Sequence, residues 1–117
     1  MATIHLNFEG FKRRIANPDT MMQEWNFLGS CPAVIDFYAS WCGPCKALSP
    51  VIDEVAKQYE GCVDVYKVNV DEEPELADAF NIRSIPTLYF IPLNGKPKMT
   101  VGGMSKAELV KQINAVL

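Results

Sequence analysis

The stretch VIDFYASWCGPCKALSP, residues 34–50, joins a predicted strand to a predicted helix. Its first half is a nearly continuous apolar run, which is typical of a strand buried on both faces of a sheet. From Pro44 onward, apolar residues recur at helical spacing until Gly61. A buried strand therefore leads directly into a long helix, and Cys42 and Cys45 lie where the two meet.

The remaining segments alternate between strand and helix patterns. TIHL, VDVYKVNV, TLYFI and KMTV read as strands, the last two forming a hairpin across PLNGKP. NFEGFKRRIAN, EEPELADAF and the serine-capped SKAELVKQINAVL read as helices, while DTMMQEWNFLGSC is either a short helix or an irregular connection. This order predicts an α/β sheet covered by helices on both faces.

Length and composition indicate one domain, residues 1–117, since a chain of this size with 49% apolar residues can bury a sufficient core. Its 11 basic and 14 acidic side chains give a net charge of −3 with no block of one sign, which argues against nucleic-acid or membrane-surface binding. No secretion signal or membrane-spanning apolar run is evident in the sequence. We therefore expect a cytoplasmic protein.

In a compartment where thiols are kept reduced, two cysteines this close are catalytic or metal-binding more often than structural. A zinc site would need further ligands, but Cys31 and Cys62 do not form a second close pair, and His5 is the sole histidine. The pattern therefore favours redox chemistry over a metal. Cys31 and Cys62 are expected to pack as small apolar side chains, with a regulatory thiol as the alternative.

The helix N-terminus suits Cys42 as the attacking nucleophile. Unpaired N–H groups and the helix dipole favour a thiolate there, and Lys46 adds positive charge nearby. Residues three apart share one helix face, so Cys45 can reach Cys42 to close a disulfide. Gly43 presents no side chain to an incoming protein, and Pro44 occupies a first-turn position that needs no N–H donor.

Residues 34–50, together with IRSIPTLYFI and VGGMSKAEL further on, resemble the thioredoxin family. The resemblance runs from about residue 33 to residue 117 in the family's order and spacing. Residues 9–32 look longer than the corresponding part of the best-known members, and Tyr38 stands where many members carry tryptophan. The resemblance implies a five-stranded mixed sheet flanked by four helices, with Cys42 exposed and Cys45 recessed.

The resemblance also implies roles for individual residues. Cys42 would attack a substrate disulfide and Cys45 would resolve the mixed disulfide, while Asp36 matches the family's buried acid and Lys67 the lysine near it. An ionised carboxylate in a strand as apolar as this one is costly, so the pKa of Asp36 should be raised, which suits a proton acceptor for Cys45. Pro86 matches a proline that has a cis peptide bond and faces the cysteines. The substrate-binding set would be Trp41, Gly43, Pro44, Ile85, Pro86, Gly102 and Gly103.

The function implied is reduction of disulfides in cytoplasmic client proteins by a monomer with no bound cofactor or metal. Electrons would come from NADPH through a flavoprotein thioredoxin reductase. An oxidase or disulfide isomerase on the same fold is the alternative, and a binding module with structural cysteines is a further one. Gly43 and Pro44 favour the reductase, because family members that act as oxidants usually carry other residues between the cysteines.

Overall fold

A computed structural model describes residues 2–117 of the chain. Strands and helices occur where the sequence patterns predict them, with shorter helix ends. In chain order they are β1 (Thr3–His5), α1 (Phe8–Arg14), β2 (Ala33–Tyr38), α2 (Gly43–Gln58), β3 (Asp64–Asn69), α3 (Pro74–Ala79), β4 (Thr87–Ile91), β5 (Lys98–Val101) and α4 (Lys106–Asn114).

The five strands form one mixed sheet in the order β1-β3-β2-β4-β5. The strand β3 pairs in parallel with both β1 and β2, whereas β4 runs antiparallel to β2 and to β5. The predicted five-stranded mixed sheet with four helices is therefore confirmed, as is the hairpin of β4 and β5. The central strand β2 has a strand on each side and helices over both faces, which explains why its sequence is mostly apolar apart from Asp36.

Helices cover both faces of the sheet, and the alternation of side chains along β2 divides the core between them. Ile35 and Phe37 point to the face where Phe11 of α1 and Leu76 of α3 pack. Val34 points to the other face, where α2 and α4 pack. Asp36 follows the same alternation as Val34, so its carboxyl group lies under α2.

Two segments differ from the sequence patterns in extent. The helix α1 ends at Arg14 and α2 at Gln58, because the chain turns at Ile15 and at Gly61, whose φ is +87°. Of the alternatives for residues 19–31, the irregular connection is correct, since these residues form turns, bends and irregular chain. None of the helices within residues 2–117 has the length and apolar character to cross a membrane.

Candidate functional site

The turn from β2 into α2 positions both cysteines. Cys42 is the N-cap of α2, where its Sγ accepts a hydrogen bond from the Cys45 N–H at 3.2 Å. Gly43 and Pro44 form the first helical positions, and both are exposed. Cys42 and Cys45 are joined in a disulfide with their Cα atoms 5.2 Å apart, within the usual range for such a bond. The structure is thus the oxidised form.

The expectation that Cys42 is exposed and Cys45 recessed is wrong for this oxidised form. Each cysteine is only 5% exposed, and Ala39 completes a small buried cluster with them. Ile85 packs against this cluster, and its carbonyl oxygen lies 3.8 Å from Cys42 Sγ. The loop that carries Ile85, more than forty residues further along the chain, buries Cys42. The position of Cys42 at a helix terminus therefore does not by itself expose the sulfur.

Asp36 is the buried acid of the site, with an exposed fraction of 3%. Its Oδ1 has no hydrogen-bond partner among the described residues. Burial raises its pKa from 3.8 to about 6; the positive charge of Lys67 acts in the opposite direction, and Asp53 adds a smaller rise. The raised pKa expected from the sequence is therefore present, and desolvation is its main cause.

Lys67 lies beside Asp36, because the two residues are register partners on β3 and β2. Its ammonium group donates a hydrogen bond to Ser49 Oγ at 3.0 Å and lies 4.9 Å from the centre of the Tyr38 ring. Both contacts hold the ammonium away from a close ion pair with the carboxylate. Lys67 therefore moderates the pKa of Asp36 without restoring its ordinary value.

A cavity of about 260 Å³ connects the buried acid with the disulfide. Cys45 lies on its wall together with Asp36 and Lys67, whereas Cys42 does not. Asp36 and Cys45 therefore border one shared space. The complete lining is Asp36, Tyr38, Ala39, Ser40, Cys45, Lys46, Ser49 and Lys67.

The residues expected to contact substrate are distributed around the disulfide, but not all at the surface. Trp41 is 69% exposed, and Gly103 is also exposed. Ile85 and Gly102 are partly buried, and Pro86 is buried, so it supports the rim from beneath rather than forming it. The Ile85–Pro86 peptide bond is cis, as the resemblance implied. Gly102 donates its N–H to the Pro86 carbonyl at 2.8 Å and has φ +97°, a conformation that favours glycine.

Sequence reasoning missed three residues that hold the site together. Asp71, after β3, accepts a hydrogen bond from Trp41 Nε1 at 2.8 Å. Ser49 binds Lys67, and Tyr38 covers its ammonium group. The sequence already showed Tyr38 at a position where many family members carry tryptophan, but no local pattern links Asp71 to Trp41.

Cys31 and Cys62 lie outside this site. Cys62 is exposed and Cys31 is partly buried, so the expectation that both are packing residues is wrong for Cys62. Neither belongs to the buried apolar clusters. Within residues 2–117 there is also no group of three or more His, Cys, Asp or Glu side chains arranged to hold a metal ion.

Comparison with known proteins identifies the family. The family model described as Thioredoxin matches residues 3–115. A thioredoxin from Borreliella burgdorferi is 52% identical over 68% of this chain and 68% of its own length. Thioredoxin 1 of a Nostoc species is 50% identical over 67% of this chain and 73% of its own, and the chloroplastic thioredoxin M-type of Spinacia oleracea is 42% identical over 85% and 55%. A buried acid beside a disulfide-forming cysteine pair can support thiol–disulfide exchange. The chain belongs to the thioredoxin family of protein-disulfide reductases.

Proposed function

We propose that the chain reduces disulfides of cytoplasmic proteins, with Cys42 as the attacking thiol and Cys45 as the resolving thiol. The observation that carries this assignment is the asymmetry of the cavity, which reaches Cys45 and Asp36 but not Cys42. The helix N-terminus stabilises a thiolate at Cys42 without a base. Cys45 needs a proton acceptor, and Asp36 is the acid that shares its cavity.

The reaction then proceeds in two exchanges. The Cys42 thiolate attacks one sulfur of the client disulfide, forming a mixed disulfide and releasing the other client sulfur as a thiolate. Cys45 loses its proton to Asp36 and attacks Cys42 Sγ, which breaks the mixed disulfide and releases the second client thiolate. Two electrons have passed to the client, and Cys42 and Cys45 end as the disulfide. A pKa of about 6 leaves Asp36 ionised and able to accept a proton near neutral pH.

The client is held by the surface around the disulfide. Trp41, Gly43, Pro44 and Gly103 are the exposed members of this surface, and Ile85 and Gly102 are partly exposed. The absence of side chains at the glycines lets an extended client segment approach Cys42 closely. Pro86 acts from beneath by fixing the loop that carries Ile85 over the sulfurs.

Electrons are proposed to come from NADPH through a flavoprotein thioredoxin reductase, with the chain acting as a monomer and a single domain over residues 1–117. A dithiol that must be returned to the reduced state fits the cytoplasm, where thiols are kept reduced. The relatives include bacterial thioredoxins as well as chloroplastic ones.

The test is reduction of insulin by the chain with NADPH and a thioredoxin reductase, measured as NADPH consumption. Wild type should consume NADPH in proportion to the insulin thiols formed, and Cys42→Ser should consume none. A parallel reaction uses dithiothreitol as the electron donor. If wild type were active with dithiothreitol but not with the reductase, the proposed electron route would be rejected. If Cys42→Ser kept both activities, Cys42 would be rejected as the nucleophile.

A further inference from the structure

Cys31 and Cys62 each lie just before the amino end of one of two neighbouring strands, β2 and β3. The parallel register of β2 and β3 begins with Ala33 opposite Asp64, and each cysteine is two residues before its strand's first residue. The pairing extends beyond the strands, since Asp64 donates its N–H to the Pro32 carbonyl at 3.0 Å. Where the two strands begin, their chains are about 4.8 Å apart, close to the Cα range of roughly 4.4–6.8 Å for a disulfide. Cys62 lies in the turn before β3, where its N–H donates to the Tyr59 carbonyl at 2.8 Å.

The electrostatics of the pair agree with this placement. Burial raises the pKa of the Cys31 thiol, the Asp64 carboxylate raises it further, and the charge of the Cys62 thiolate adds to the rise. Because the interaction between two charges weakens with distance, an effect of Cys62 on the Cys31 pKa agrees with their placement on adjacent segments. Cys62 is exposed and follows Gly61, whereas Cys31 is partly buried. An external reagent therefore meets Cys62 first.

We propose that Cys31 and Cys62 form a second dithiol–disulfide site, which takes low-molecular-weight disulfides at the end of the sheet opposite Cys42 and Cys45. The strand β2 separates the two sites, and its 6 residues span about 20 Å. The Cys42–Cys45 pair of the same molecule cannot reach that far. The second site therefore exchanges electrons with an external partner and not with the first site directly.

The chemistry needs only the small disulfide as oxidant. The Cys62 thiolate attacks one sulfur of that disulfide, forming a mixed disulfide and releasing the other half as a thiolate. The Cys31 thiolate then attacks the Cys62 sulfur and releases the second half. Two protons pass from the cysteines to the two released thiolates or to solvent, and two electrons pass from the pair to the small disulfide. The resulting Cys31–Cys62 disulfide links the amino ends of β2 and β3.

The experiment uses a variant with both Cys42→Ser and Cys45→Ser, in which Cys31 and Cys62 are the remaining cysteines. The protein is oxidised with glutathione disulfide, labelled with a maleimide and weighed intact. The expected product is a monomer lighter by two hydrogen atoms, with no maleimide and no glutathione. Adding Cys31→Ser should instead leave a stable glutathione adduct on Cys62, and adding Cys62→Ser should leave Cys31 largely open to maleimide.

Wild-type protein provides a second measurement that needs no substitution in the active site. After the same oxidation, all of its cysteines should be closed to maleimide, and proteolysis should yield Cys31 and Cys62 in one disulfide-linked peptide pair. A stable glutathione adduct on Cys62 with Cys31 present, a disulfide-linked dimer, or unreacted thiols at both positions would each overturn the proposal.

Discussion

At the level of single residues, the burial of the Asp36 carboxyl group opposes its ionisation. Its carboxyl group is buried under α2 with one oxygen unpaired, while the nearest cation, on Lys67, donates to Ser49 instead. Desolvation therefore outweighs the attraction between the two charges, and the pKa rises to about 6. The residue best suited to accept a proton is also one that lowers the stability of the folded chain above that pH.

Asp36→Asn should be more stable than wild type at pH 8 but not at pH 4. The folded pKa of about 6 exceeds the ordinary value of 3.8, so wild type has its full stability below 3.8 and loses part of it as pH rises through 6. The loss is on the order of 3 kcal/mol at pH 8. Urea unfolding of both proteins at the two pH values measures it.

The matched control for this substitution is Asp19→Asn, at an exposed aspartate, which should show no such gain at pH 8. Asp36→Asn should also slow insulin reduction by roughly 100-fold or more, because the proton acceptor for Cys45 is lost. Equal or lower stability of Asp36→Asn at pH 8 would contradict the desolvation argument.

The order of the two cysteines predicts different trapping by their serine variants. Cys45→Ser keeps the nucleophile without a resolving thiol, so mixed disulfides with client proteins should accumulate in a cytoplasmic extract and survive non-reducing electrophoresis. Cys42→Ser should trap none, because Cys45 is the thiol that depends on a base. Trapping by Cys42→Ser at the level of Cys45→Ser would reverse the assigned roles.

At the level of elements, the site is built where the carboxyl ends of β2 and β3 meet the loop before β4. The turn after β2 carries Trp41 and the cysteines, the turn after β3 carries Asp71, and the loop before β4 brings Ile85 over the sulfurs. The hydrogen bond from Trp41 to Asp71 joins the first two turns. The active surface therefore depends on the relative position of three loops, each anchored by a buried strand.

Asp71→Ala should free the Trp41 side chain and raise the KM for insulin by about 2- to 10-fold, since a hydrogen bond of this kind contributes about 0.5–1.5 kcal/mol. The kcat should stay close to wild type, because Trp41 holds the client equally before and during the exchange. Asp71→Asn retains an acceptor oxygen and serves as the control. A lower kcat at unchanged KM in Asp71→Ala would show that the contact serves the chemical step instead.

At the level of the whole molecule, the sheet divides the core into two apolar layers, and each layer holds one side of the site in place. Aromatic rings dominate the layer under α1 and α3, where Phe11 meets Phe80 edge to face with centroids 5.4 Å apart. The layer under α2 and α4 is mainly aliphatic and contains Leu48 and Ile52 of α2. The second layer fixes the helix that carries the cysteines, and the first supports β2 from below.

Phe11→Ala should lower the free energy of unfolding by about 3–5 kcal/mol, because the side chain is fully buried and its removal leaves a cavity beside Phe80. Met22→Ala, at a side chain 76% exposed, should change it by no more than about 0.5 kcal/mol. Urea unfolding of the two variants at one pH compares them directly. A loss below about 1 kcal/mol in Phe11→Ala would mean that the layer closes around the gap.

The sequence alone determined the features that depend on local spacing. A nearly continuous apolar run predicted the buried strand β2, helical periodicity predicted α2 and α4, and two cysteines at the helix start predicted the redox pair. Resemblance to a family supplied the sheet composition and the cis bond before Pro86, for which the local sequence carries no signal. The predictions of β2, α2, α4 and the cysteine pair hold because neighbours along the chain suffice to define them.

The tertiary structure decided everything that depends on residues distant in the chain. The burial of Cys42 by Ile85, the hydrogen bond from Trp41 to Asp71 and the pairing of β2 with β3 each join segments about 30 or more residues apart. The size of the Asp36 pKa shift likewise depends on how completely α2 excludes water and on the acceptor, Ser49 Oγ, to which the Lys67 ammonium donates. Local periodicity encodes which side chains face the core, but only packing sets which of them meet and how much solvent remains between them.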